Sequence, residues 1–297
     1  MTYLVTGATG FIGTKLVEHL LERGDAVYYL ARKRSLHLPS QASFHPWDPN
    51  DKPDLNALSR IDVVFHLAGE PIAQRWSGAV KKRIYDSRVE GTRRLVDAIR
   101  ELRHRPSVLV SASAVGYYGD RGSEILTESK PPGNDFLAGV CKDWEREAGR
   151  ARDLGLRVVP IRIATVLGQN GGALKAMLPA FRLGLGGKFG NGKQWNSWVH
   201  VEDLVRLFLF AAETESLSGA LNGSSPQPVT NAQFTAALGK ALHRPAILPV
   251  PKFALRILLG EMAEFLFTSL RVIPAAPEQA GFEFRYPEIE GALGAAV

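Results

Sequence analysis

Apolar residues fall into short runs along this chain, separated by stretches with helical spacing. Tyr3-Leu4-Val5 reads as a buried strand, and Leu16, Val17, Leu20 and Leu21 then recur as on one face of a helix. Ala26-Val27-Tyr28-Tyr29-Leu30-Ala31 predicts a second strand. Ser43-Phe44-His45 predicts a short third one, followed by a loop around Trp47-Asp48-Pro49. The run from Val63 to Leu67, closing on Gly69, predicts the fourth. Val89, Leu95, Val96 and Ile99 mark a helix from Ile84 to Arg100. Val108 to Ser111 predicts the fifth strand and Arg157 to Ile163 the sixth. Strands alternating with helices predict an α/β fold with a parallel, doubly wound sheet. Ligands of such sheets sit beyond the carboxyl ends of the strands.

After Gly168 the pattern changes. Gly171-Gly172 precedes a helix, and Gly184 to Gly192 is a glycine-rich segment. The stretch from Trp195 to Leu204 leads into a helix ending at Glu213. Pro245, Pro249, Pro251 and Pro274 punctuate the rest, and Phe282, Phe284 and Tyr286 alternate like a short strand. The expected division is a first domain over 1–165 and a smaller, mainly substrate-side domain over 166–297. The helix at 202–213 is expected to pack back on the first domain.

The first strand runs directly into Thr6-Gly7-Ala8-Thr9-Gly10-Phe11-Ile12-Gly13. Strand, glycine turn, helix is the context of a dinucleotide-binding fingerprint, although the spacing is Gly-x-x-Gly-x-x-Gly. Gly7 permits a sharp turn, Gly10 lets backbone approach a pyrophosphate, and Gly13 lets the helix pack on the strand. The helix N-terminus then presents free N–H groups to phosphate. An acidic residue about 20 positions on would hold the ribose hydroxyl of NAD. This chain has Arg32-Lys33-Arg34 there, and a guanidinium suits a 2′-phosphate, so NADP is the expected cofactor.

The chain has 297 residues, 45% of them apolar, and a formal charge of +6. Its basic residues are densest from Arg75 to Arg105, interleaved with Asp86, Glu90, Asp97 and Glu101. That texture predicts a solvated helix face rather than a nucleic-acid groove. No run approaches the roughly 20 apolar residues that span a bilayer. No charged n-region precedes the first strand, so no signal peptide is expected. Cys141 is the single cysteine, which excludes an intrachain disulfide and fits a reducing, cytoplasmic location. The expected partner is a small-molecule substrate, with neither nucleic acid nor membrane; a homodimer stays open. No histidine spacing supports a metal site. His66, inside an apolar run, reads as structural, and His200 as a polar residue where loop meets helix.

Together these residues resemble the extended short-chain dehydrogenase/reductases, the group of sugar-nucleotide epimerases and dehydratases with a Rossmann domain. The matching pieces are the glycine turn, His66-Leu67-Ala68-Gly69, Arg88-Val89-Glu90-Gly91-Thr92, the serine-rich end of strand five and Val199-His200-Val201-Glu202-Asp203. More narrowly, the chain resembles the atypical "epimerase family" proteins, NADP-dependent oxidoreductases of unassigned substrate. Leu67 to Ile72, Ser111 to Asp120, Trp144-Glu145, Phe181 to Gly187 and the tail from Arg244 to Leu293 carry that likeness. The resemblance implies that Gly7, Gly10, Phe11, Ile12 and Gly13 hold the pyrophosphate and Arg32 the 2′-phosphate. It places Leu67, Ala68 and Gly69 along the adenosine and Val166 at the nicotinamide end. Arg88 stands where the wider family usually has Asn, within reach of cofactor phosphate or backbone.

The wider family's Tyr-x-x-x-Lys dyad, in which lysine favours the phenolate, is absent. If Glu145 matches the family glutamate, Leu137 replaces the tyrosine and Cys141 the lysine. With the register slipped by one, Ala138 and Lys142 stand there. Ser113 aligns with the serine that hydrogen-bonds a substrate oxygen. Tyr117 or Tyr118 could supply the missing phenol, with Tyr117 favoured and Lys142 a candidate for tuning it. Nothing local marks Cys141 as activated. Two functions follow: an NADP(H)-dependent oxidoreductase or epimerase acting on a polar small molecule, or a non-catalytic NADP(H)-binding regulator or scaffold.

Overall fold

Strand β1 (Thr2–Thr6) lies between β2 (Ala26–Ala31) and β4 (Val63–His66), parallel to both. The computed structural model describes residues 1–169 and 171–297. β3 (Ser43–Pro46) continues the sheet past β2. β5 (Val108–Ala114), β6 (Arg157–Ile163) and β7 (Leu221–Gly223) continue it past β4. The order is β7-β6-β5-β4-β1-β2-β3, and every pairing is parallel. The direction of winding reverses between β1 and β4, which opens a crevice at their carboxyl ends.

Alternate side chains of each strand enter different cores. Tyr3, Val5, Phe65, Val110 and Val159 pack with Leu16, Val17 and Leu20 of α1 (Phe11–Glu22) on one face. Leu4, Val64, Leu109 and Val158 pack on the other with Leu95, Val96 and Ile99 of α2 (Gly78–Arg100) and Ala148 of α3 (Phe136–Gly149). Burial on both faces accounts for the near-continuous apolar runs. Helix α2 starts six residues before Ile84, because Ser77 caps it by accepting from Val80 N at 3.3 Å. Asp135 caps α3 by accepting from Ala138 N at 2.9 Å.

A second core lies among α4 (Gly172–Arg182), α6 (Asn231–Ala241) and a C-terminal helix, Ile289–Ala296, around Trp198, Phe234 and Leu293. Between them in sequence, α5 (Val201–Glu213) places Leu204, Val205 and Phe208 in the core beneath α1. Strand β7 also joins the large sheet, so residues from beyond 200 complete the first layer. Its three residues carry no periodicity that could reveal it in advance. The expected strand at Phe282–Tyr286 is not formed. Its phenylalanine rings meet edge to face instead, Phe282 and Phe284 with centroids 4.9 Å apart, and the N–H groups of Arg285 and Tyr286 donate to the Asp203 carboxylate, each at 2.8 Å.

His66 ends β4 wholly buried, its ring nitrogens bonded to Thr6 Oγ1 and Thr92 Oγ1 at 2.7 Å. Burial pushes its pKa down to about 4. The unfolded chain protonates this residue near pH 6.5, so it binds more protons than the folded one between about pH 6.5 and 4. Stability is therefore full above that window and falls as pH drops through it. From pH 7 to pH 5 this histidine alone should cost about 2 kcal/mol. Urea unfolding at both pH values measures the loss, and His66→Gln should shrink it; an unchanged difference would exclude His66 as the cause.

Candidate functional site

The turn after β1 is built from backbone. Gly7 has φ of +70°, and a Cβ there would lie 2.6 Å from the Leu67 carbonyl carbon. A Cβ on Gly13 would lie 2.2 Å from the Gly7 oxygen, so α1 starts in contact with the turn. Gly10 differs: it is exposed, and its Cβ would meet only the Gly7 oxygen, at 3.2 Å. No side chain caps α1, and its first internal bond is Thr14 N to Gly10 O at 2.9 Å. The N–H groups of Phe11, Ile12 and Gly13 therefore have no partner within the helix. An anion fits there, and a side chain on Gly10 would stand in its way.

Phe11 turns its ring away to seat the second half of the chain. Cβ atoms on Gly168 and Gly171 would lie 2.8 and 2.1 Å from that ring. This notch follows Val166, which sits half-buried in a short strand, Thr165–Leu167, parallel to Trp198–His200. Gly172 backs onto the Val166 carbonyl, where its Cβ would come within 2.4 Å. Ile12 packs against the main core.

A cleft of about 270 Å³ runs from Gly7 and Thr9 across the carboxyl ends of β2, β3 and β4 to α2. Arg32 stands exposed on its rim and, among the described residues, makes no side-chain hydrogen bond or ion pair. Ala68 and Gly69 line the cleft, whereas Leu67 packs against the core. Arg88 reaches backbone: Nη1 donates to the Glu70 carbonyl at 2.9 Å, and the guanidinium lies 5.2 Å over the Trp144 ring. A Cβ on Gly69 would touch that guanidinium at 3.0 Å, so arginine and glycine are matched. Burial lowers the Arg88 pKa. Trp47, in the loop after β3, is a further residue of the site. It forms a buried wall of the cleft, held by Nε1 donating to Asp51 O at 2.8 Å.

Beyond the end of β5 lies a buried polar cluster. Ser113 is 2% exposed and donates to Glu145 Oε1 at 2.7 Å. Arg162, from β6, forks onto the same carboxylate at 2.8 and 2.9 Å and donates to the Tyr118 hydroxyl at 2.9 Å. Burial opposes the Arg162 charge, but the hydrogen bonds and charge of Glu145 more than offset it and hold its pKa above the ordinary value. The Tyr118 hydroxyl donates onward to Asn222 Oδ1 at 2.6 Å. Burial raises its pKa to about 12. Tyr118 is thus a core residue. Tyr117 is half-buried, with its ring 3.5 Å from the Arg162 guanidinium, and its hydroxyl has no hydrogen-bond partner among the described residues.

This arrangement revises two expectations. The Ser113 hydroxyl faces Glu145 rather than open space. Lys142 is exposed on α3 while Leu137, Cys141 and Trp144 form that helix's buried side, so the lysine stands outside the cluster. Burial pushes the Cys141 thiol up to about 12, so it stays protonated at neutral pH. His200 is structural: Nδ1 accepts from Glu202 N at 3.3 Å at the start of α5, and the ring stacks on Tyr286.

The profile of the NAD dependent epimerase/dehydratase family matches residues 3–222. The chain belongs to that family. A second profile, a domain of unknown function called DUF1731, matches residues 250–296 of this epimerase-family protein. The chloroplastic SDR39U1 homolog of Arabidopsis thaliana, an "epimerase family protein", is 42% identical over 99% of this chain and 86% of its own. Epimerase family protein YfhF of Bacillus subtilis is 35% identical over 99% of this chain and 97% of its own. The crystal structure of human epimerase family protein SDR39U1 (isoform 2) with NADPH superposes with a TM-score of 0.89 at 33% identity, covering 99% and 98% of the two chains. The Rossmann-like sheet expected of the family is present, and neither Leu137 with Cys141 nor Ala138 with Lys142 supplies a tyrosine–lysine pair on α3.

Proposed function

We propose that this protein is an NADP(H)-dependent oxidoreductase or epimerase-like enzyme acting on a polar small molecule. One observation carries the reading: the uncapped amides of Phe11, Ile12 and Gly13 open beside a cleft whose far rim holds Arg32, which has no side-chain partner among the described residues. The pyrophosphate would lie on those amides, at Gly10. Arg32 would fork onto the 2′-phosphate, and Ala68 and Gly69 would flank the adenosine. The relative crystallised with NADPH supports the same cofactor here. When bound, the nicotinamide supplies hydride transfer, and the protein supplies binding and orientation.

Reduction of a substrate carbonyl at that site adds hydride to its carbon, and the oxygen, which takes the C=O electron pair, must receive a proton or a compensating charge. Tyr117 is the group we assign to this role. Its hydroxyl has no hydrogen-bond partner among the described residues, and the Arg162 guanidinium packs on its ring from one face. Arg162 is itself locked by Glu145, which also accepts a hydrogen bond from the buried Ser113, so the serine supports this arrangement from behind. Tyr117→Phe should fold and bind NADPH normally while turnover falls about 10²–10⁴-fold. A screen of alcohols, ketones and nucleotide sugars, read as loss of NADPH absorbance, provides the turnover. Full activity in Tyr117→Phe would remove the phenol from the reaction.

A second reading is a non-catalytic NADP(H)-binding regulator or scaffold, favoured because no tyrosine stands at either Leu137 or Ala138 on α3. Tight cofactor binding with no turnover across that screen would select it.

A further inference from the structure

The charge of this chain is unevenly placed. Residues 154–201 and 216–260 carry ten Lys and Arg and no Asp or Glu, whereas the rest carries 26 Lys and Arg against 30 Asp and Glu. Arg157 and Arg162 bond inside the fold. The other eight belong to the smaller lobe. Lys252 and Arg256 of α7 (Lys252–Leu259) pair with Glu264. Lys175, Arg182, Lys188, Lys193, Lys240 and Arg244 meet no carboxylate among the described residues.

The same stretches expose large apolar side chains. Leu183 is 75% exposed, and Leu185 is exposed two residues later in the loop after α4. Ile247 is 79% exposed beside Leu248, and Phe253, Ile257 and Leu258 are exposed on α7. The two stretches lie together: Val250 N donates to Lys188 O at 2.9 Å, and Arg244 Nε donates to Arg182 O at 3.2 Å. On α7, Phe253 and Ile257 share one row while Lys252 and Arg256 form the next. The far end of α7 is tied to the loop before α2, where Arg75 Nη1 donates to Ile257 O at 3.0 Å.

We propose that this face docks on an anionic lipid bilayer. Aliphatic side chains that insert shallowly and cations that hold the headgroups are the two signals that together give stable surface binding. Among the described residues no helix is long and apolar enough to cross a membrane, but a helix lying in the interface has no such requirement. A second copy fits worse, because a twofold contact would set cation against cation. A nucleic acid would engage the cations and leave the leucine and isoleucine side chains in water.

Cosedimentation of the full chain with vesicles tests this. Equal parts phosphatidylglycerol and phosphatidylcholine should pull the protein down at about 0.1 M salt, with at least about tenfold weaker binding at about 0.5 M salt, where the charges are screened. Pure phosphatidylcholine should bind at least about tenfold less as well. Phe253→Ser/Ile257→Ser and Arg182→Gln/Arg244→Gln should each weaken binding about tenfold without changing the unfolding temperature. Protein left in the supernatant with both vesicle types overturns the proposal, and so does equal binding to both. Light scattering that shows a dimer which Phe253→Ser/Ile257→Ser makes monomeric would assign the face to self-association instead.

Discussion

Gly10→Val is expected to abolish NADPH binding in a chain that still folds. The three glycines of the turn do different work. A side chain on Gly7 or Gly13 would collide with backbone at 2.6 or 2.2 Å, and backbone cannot give way cheaply. A side chain on Gly10 meets only the Gly7 oxygen at 3.2 Å, at an ordinary φ of −83°. Valine is a poorer N-cap than glycine, which should cost about 1 kcal/mol of stability. Its branched side chain nevertheless stands over the free amides of α1, where the pyrophosphate must approach. Binding should weaken by at least about 100-fold, or about 2.7 kcal/mol. Gly13→Val should instead lower stability severely. Thermal unfolding and a fluorescence titration, run on both variants, separate the two effects. If Gly10→Val binds NADPH normally, the turn is structural only.

A large stability effect is expected at Glu145. Its carboxylate satisfies the buried Arg162 at two atoms and the buried Ser113 at one. Glu145→Ala leaves a guanidinium that is 5% exposed without a counter-charge. Breaking such a pair from one side costs about 3–5 kcal/mol. Glu145→Leu combined with Arg162→Met removes both charges and should recover much of the loss, because isosteric apolar replacement is often close to neutral. Urea unfolding of the single and double variants closes the cycle. A loss under about 1 kcal/mol in Glu145→Ala would mean that Arg162 finds another partner or water.

Much of this architecture is legible from local pattern. Strand, glycine turn and helix sit within the first 22 residues, and each is specified by neighbours in sequence. The same holds for α2 and the long strands, whose apolar runs must be buried on both faces. What escaped was decided by residues far apart. Ser113 finds its partner 32 residues away, so its orientation could not be read from the end of β5. Lys142 sits one position from the buried Cys141, and one residue along a helix is enough to turn a side chain to solvent. Phe282 to Tyr286 has strand-like alternation, but Asp203 captures its backbone amides before a neighbouring strand can. Arg162 stands inside Val158-Val159-Pro160-Ile161-Arg162-Ile163, and a charge in a buried run requires a partner. Glu145 is that partner.

The central claim is that the cleft beside α1 selects a nicotinamide cofactor with a 2′-phosphate. Calorimetric titration of the wild-type chain and of Arg32→Asp, each with NADPH and with NADH, tests it most directly. NADPH should bind the wild type at least about tenfold more tightly than NADH, a difference of about 1.4 kcal/mol or more. Arg32→Asp should weaken NADPH by about 1–3 kcal/mol and leave NADH nearly unchanged, because only NADPH carries the charge that Arg32 meets. Equal affinities in the wild type, or equal losses for both cofactors in the variant, would contradict the account.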